Sequence, residues 1–175
     1  MFTPEMKVVS VSGTEPISVT EAKAWALIDT DADDTELGTL ITAARGMVES
    51  YINKDILPKQ RQYFSPTLID GVMALPYRPV DTIDEVIVGT VTYTSSQYSV
   101  FGLDNGFIDF GFEAEKVKVT YTTTGLTANQ QVKDAIKALV EYLYNSQGVI
   151  EETDIPRKMP KHIKKLLIGN KNVFF

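Results

Sequence analysis

The sequence predicts an α+β fold: a small helical bundle with an inserted antiparallel β lobe, followed by a C-terminal helix plus an extended tail. Two stretches near opposite ends of the chain, 37–52 and 132–143, carry apolar residues at intervals of three and four. Between them the period changes to two, with β-branched and aromatic residues separated by turn signals. Behind Pro160 a short apolar helix follows. The expected division is 1–56 for an N-terminal strand and core helices, and 57–126 for the inserted lobe. Residues 127–150 form a core helix completing the bundle, and 151–175 form a basic helix and tail.

Met6 to Ser12 reads as a short strand. Ser18 and Glu21 then have capping-box spacing and open a helix through Ala22, Trp25 and Ala26, ending near Ile28. Asp33 and Glu36 repeat that spacing ahead of a second helix, whose stripe is Leu37, Leu40, Ile41, Ala44, Val48, Tyr51 and Ile52. Arg45, Glu49 and Lys54 fall off the stripe, so the apolar face needs a partner. A third helix, from about Ala128 to Ser146, supplies one through Val132, Ala135, Ile136, Leu139, Val140 and Leu143. Thr127 and Gln130 are its expected capping pair, and Gly148 lies beyond its end.

Expected strands in the lobe are Arg61 to Ser65, Val72 to Leu75, Glu85 to Tyr93, Gln97 to Phe101, Phe107 to Phe110 and Lys116 to Thr122. Asn105-Gly106 is the dipeptide favoured where a tight hairpin needs positive φ. Val117, Val119 and Tyr121 alternate with Lys116, Lys118 and Thr120, which predicts one wet face for the last strand. Glu151 to Pro156 reads as a linker. Pro160 suits a first helical turn, and the final helix runs through Ile163, Leu166 and Leu167 to Gly169, leaving 170–175 as an extension.

With 175 residues, 43% hydrophobic and 23% charged, the chain is long enough for one real core, or for a small domain carrying a second lobe. It has no cysteine, which excludes disulfides, thiolate metal sites and a cysteine nucleophile. The N-terminus lacks the basic and then apolar run of a signal peptide, and Lys133, Asp134, Lys137 and Glu141 interrupt the later apolar helix, so no targeting or membrane-spanning segment is expected. The net charge of −6 is divided unevenly: the last nineteen residues hold six basic side chains and no acid, which leaves −12 for residues 1–156. A basic end on an acidic body is either a solvated helix or a surface matched to an acidic partner.

No catalytic or cofactor-binding constellation emerges. Asp29-Thr30-Asp31-Ala32-Asp33-Asp34 resembles the opening of an EF-hand loop, but its sixth position is Asp34 where glycine is needed, and its twelfth is Leu40 where a glutamate is needed. A helix cap by Asp33 accounts for the run more simply. His162 is the single histidine and sits among lysines. Asp81 with Asp84 and Glu113 with Glu115 are the acid pairs on which a carboxylate-based hydrolase would rest, though nothing in their spacing brings them into one cleft. Phosphate-binding glycine motifs and a nucleophile elbow are absent. Nucleic-acid binding through the basic tail, as in a DNA-packaging accessory protein, is opposed by the acidic body.

The order of motifs resembles the head–tail connector, or adaptor, family of head-completion proteins in tailed bacteriophages. It runs from Pro16-Ile17-Ser18-Val19-Thr20-Glu21-Ala22-Lys23 through Leu40-Ile41-Thr42-Ala43-Ala44-Arg45 and Leu57-Pro58-Lys59-Gln60. It continues through Leu75-Pro76-Tyr77-Arg78-Pro79-Val80 and Val117-Lys118-Val119-Thr120-Tyr121 to Met159-Pro160 with Leu166-Leu167. The resemblance implies a structural virion subunit, not an enzyme, needing no cofactor or metal. It implies a ring of about twelve copies between the portal and the tail or stopper proteins, where cyclic symmetry gives each copy two different lateral patches. It also implies that DNA passes through the channel without sequence-specific binding. The expected portal-docking tail is Lys161, Lys164, Lys165, Lys171, Val173, Phe174 and Phe175, with folding of the last residues back onto the chain's own core as the alternative.

Overall fold

The computed structural model describes residues 3–127, 129–146 and 159–171. The chain forms two compact units and crosses between them three times. Among the described residues, one unit contains those up to Gly13 together with Leu57–Gly125; the other contains Thr14–Ile56 and those from Leu126 to Lys171.

The second unit is helical. Helix α1, Val19–Ala26, starts at a complete capping box: the Glu21 N–H donates to Ser18 Oγ at 3.1 Å, and the Ser18 N–H donates to Glu21 Oε2 at 2.8 Å. Leu27 ends it in the left-handed conformation. Helix α2, Asp34–Ile52, and helix α3, Gln130–Asn145, bring their stripes into one core, in which Leu37, Ile41, Ala44, Val48 and Ile52 meet Val132, Ala135, Ile136, Leu139 and Val140. Helix α4, Lys161–Leu167, begins after Pro160 and adds Met159, Ile163 and Leu167 to that core. A 3-10 turn, Ile168–Asn170, follows it.

Three details of this unit differ from the sequence reading. Asp33 occupies the N-cap position of α2, but its side chain makes no capping bond; its φ and ψ of −103° and 9° are not the extended values a cap needs, and its carboxylate instead accepts from the Tyr144 hydroxyl at 2.7 Å. The cap of α3 is Asn129, not Thr127, through Val132 N–H to Asn129 Oδ1 at 3.1 Å. Glu49, expected off the stripe, is buried. It accepts from the Ile56 N–H at 2.9 Å and from Arg45 at 3.1 Å, and Arg45 also donates to Glu15 at 2.8 Å. Burial opposes the charge on Arg45, but the two carboxylates outweigh it and raise the pKa above the ordinary arginine value.

The first unit is two antiparallel sheets around a separate core. Strands β1 (Glu5–Val11), β2 (Lys59–Leu68), β4 (Val80–Val88), β5 (Val91–Tyr93) and β8 (Ala114–Thr123) make a five-stranded sheet in the order β1-β2-β8-β4-β5. Strands β3 (Val72–Ala74), β6 (Ser99–Phe101) and β7 (Phe107–Asp109) make a three-stranded sheet in the order β3-β7-β6. Val86, Val117, Val119 and Tyr121 from the larger sheet share a core with Met73, Ile108 and Phe110.

The segment read as one strand from Glu85 to Tyr93 is a hairpin. Val88 pairs with Val91, and Gly89 turns at φ +63°, which suits the first central position of a two-residue loop. Conversely, Asn105-Gly106 does not form such a hairpin: Phe101 pairs with Phe107 across residues 102–106, and only Asn105 of the dipeptide has positive φ. A Cβ at Gly106 would stand 2.3 Å from Arg78 Cδ, so a larger residue there would displace the Arg78 side chain. Gly148 and the linker at 151–156 lie outside the described residues.

The Ser18 backbone N–H, followed by its hydroxyl, holds the Glu21 carboxyl below the ordinary glutamate pKa of 4.5. A carboxyl depressed in the folded state contributes stability that is complete above its unfolded pKa and is lost as pH falls through the folded one. Urea midpoints of the wild type and Glu21→Gln are therefore expected to differ at neutral pH and to converge once the pH drops below the folded value.

Candidate assembly surfaces

The acids considered as chemical sites are engaged elsewhere or stand apart. Lys23 donates to Asp31 and, at 2.9 Å, to Asp34, so an ammonium occupies the middle of the Asp29–Asp34 run. Asp31 in turn raises the Lys23 pKa more than Asp34 does. Asp84 accepts from Thr122 Oγ1 at 2.8 Å, Gln60 Nε2 at 2.9 Å and Thr82 Oγ1 at 2.8 Å on the outer face of the large sheet. Asp81, Glu113 and Glu115 are exposed, as is His162. Among the described residues no three acids or histidines gather where they could hold a metal ion. No described helix is long and apolar enough to cross a membrane.

What the helical unit offers is a basic surface on a firmly seated helix. Ile163 and Leu167 hold α4 in the core while Lys161 and Lys165 are exposed, with Leu166 and Ile168 apolar and exposed beside them. Two of the sequence-predicted docking lysines converge: Lys164 Nζ and Lys171 Nζ stand 5.7 and 5.0 Å from the centre of the Tyr51 ring. Asn170 fixes the end of this segment, accepting from Asn129 Nδ2 at 2.9 Å and donating to Gln131 Oε1 at 3.1 Å. Val173, Phe174 and Phe175 lie outside the described residues.

Three of the places where the β unit presents apolar groups are an edge strand, a loop and a groove. All seven residues of β1, an edge strand, are exposed, Met6, Val8, Val9 and Val11 among them. The loop between β6 and β7 carries Leu103, fully exposed at 107%, next to a stacked Phe101–Phe107 pair. The third place is on the outer face of the large sheet, where Phe64, Pro66 and Ile87 line a groove of about 540 Å³. Contiguous exposed apolar patches are a common feature of surfaces at which proteins associate.

A family model described as "HCP: Head completion protein" matches residues 15–169. The chain belongs to the head completion protein family. The order of motifs in its sequence resembles this same family, and the match spans both units.

Solved structures agree on the fold. A chain from the "Neck of empty GTA particle computed with C6 symmetry" superposes with a TM-score of 0.72 at 16% identity, covering 98% of this chain and 97% of that one. A chain from the "Virion of native gene transfer agent (GTA) particle" gives 0.72 at 14% identity, with 97% and 96% covered. One from the "Neck of native GTA particle computed with C12 symmetry" gives 0.64 at 15%, with 97% of both covered. No curated protein sequence matches significantly.

Sequence reasoning placed the basic face of this head completion protein but missed the groove and Leu103. The groove depends on cross-strand register, which no local pattern reveals, whereas a leucine in a glycine-bounded loop was a visible signal. Replacing Tyr51 with Leu keeps the apolar bulk and removes the π face. Chemical denaturation is expected to show a loss of about 1 kcal/mol, shared between the two lysines, and an unchanged stability would show that the ring does not hold them.

Proposed function

We propose that this head completion protein is an adaptor ring subunit that joins the portal of a tailed-phage capsid to the tail and lines the DNA exit channel. The observation that supports the reading is the combination of family membership over residues 15–169 with near full-length likeness to chains of particle necks computed with C6 and C12 symmetry. In such a ring each copy uses two different patches, one toward each neighbour. Its role is mechanical, and its residues serve packing and docking.

Charge divides the labour. The excess of acid in residues 1–156 suits a channel wall, because a negative surface does not retain a passing polyanion. The basic face of α4 serves as the dock for the portal, with Lys161, Lys164, Lys165 and Lys171 facing acidic groups there and the apolar Val173, Phe174 and Phe175 completing the contact. Tail or stopper proteins meet the opposite end of the ring.

The test is attachment to purified portal, imaged by electron microscopy. Removing residues 172–175, which keeps the Asn170 and Lys171 contacts in place, or reversing the charge of Lys161 and Lys165, is expected to abolish attachment while leaving the helical content unchanged. Normal attachment by both variants would reject the docking assignment. Salt-sensitive DNA affinity in the absence of any ring would favour a packaging accessory protein instead.

A further inference from the structure

The outer face of the five-stranded sheet changes character along its length. Register places Gln60 and Thr82 beside Thr122, and Gln62 and Glu85 beside Thr120, so one end is polar and is tied together through Asp84. At the other end Phe64 and Ile87 both stand opposite Lys118, and beyond them lie Pro66 and Lys116. That end is an apolar floor rimmed by two lysines and one acid, Glu115. Gly89 and Lys116 shape it from backbone: both have positive φ, +63° and +54°, and the Gly89 N–H donates to the Lys116 carbonyl at 3.2 Å. Such a conformation is uncommon for a lysine and persists only where the surroundings fix it.

The knob that fits this floor is on the same unit, but where it cannot reach. Leu103 projects from the loop 102–106, with Asp104 exposed beside it. The Asp104 carbonyl accepts from the Val80 N–H at 3.0 Å, and Val80 pairs with Thr123 at the far end of β8 from Lys118. At about 3.3 Å per residue, the five positions between Lys118 and Thr123 separate knob and groove by about 17 Å along the strand. The loop also joins strands of the other layer, across the core from the outer face. An apolar knob and its matching groove on different parts of one rigid unit make a heterologous contact, which propagates from copy to copy and closes where the rotation allows.

We infer that the loop 102–106 of one copy seats in the Phe64–Pro66–Ile87 groove of the next, Leu103 filling the apolar floor and Asp104 facing Lys116 and Lys118. The occupant is a second copy of this chain. The charge match supports that choice, since the loop brings an acid to a rim on which lysines outnumber acids two to one. The inference rests on the ring reading and assigns one of its lateral interfaces.

The chain contains no cysteine, so the introduced thiols are its only ones. The double variant Ile87→Cys/Leu103→Cys, assembled with portal and oxidised, is expected to give a ladder of disulfide-linked multimers. Each single variant should give none beyond a dimer. Rings visible by electron microscopy without a ladder would overturn the knob-and-groove contact and leave the ring reading standing; no ring under any condition would overturn both. As a second arm, Asp104→Lys is expected to weaken assembly about five-fold. Adding Lys116→Glu and Lys118→Glu to that variant should recover it, and failure of the recovery would count against the contact even if the thiol variants misfold.

Discussion

The packing of α2 against α3 is the constraint on which the rest depends, because it joins segments far apart in sequence. Once the stripes beginning at Leu37 and Val132 share a core, the chain between them must leave and return at neighbouring points. The Leu126 N–H donates to the Ile56 carbonyl at 2.8 Å, which pins the exit beside the re-entry. Closing a long insertion costs little more than closing a short one, since the entropy grows only with the logarithm of length. An entire β lobe can therefore be accommodated there.

Leaving a helix without disorder is a chemical problem, and Glu49 solves it. After Asn53 turns left-handed, the Ile56 N–H must bond inside the unit, and the buried carboxylate receives it. Arg45 neutralises that charge and extends to Glu15, so the ends of the helical segment are linked by side chains as well as by packing. Truncating one member of such a set is far more damaging than exchanging all of it for apolar groups.

Periodicity made the helices and the paired stripes legible, because an amphipathic face is a local pattern with a global use. The capping box at Ser18 was equally legible. The cap of α2 was not: Asp33 has the right residue type and spacing, yet Tyr144, 111 residues away, takes its carboxylate. Likewise Glu49 reads as a solvated position until the path of the chain after the helix is known. In the lobe, Gly89 splits an apparently continuous strand, and the bulges of β4 between Val80 and Thr82 and between Ile83 and Glu85 shift its alternation. The basic face of α4 was visible in composition alone; the groove at Phe64 and Ile87 was not, since it arises from three strands meeting in register.

This head completion protein has one core in each unit: the helical core fixes the ends of the insertion, and the lobe packs around its own. Native-state hydrogen exchange tests the first half of that claim directly. Amides of α2 and α3 are expected to exchange with one common opening free energy, because neither helix can keep its stripe covered without the other. Exchange of α3 at a distinctly lower free energy, with α2 still protected, would contradict the account.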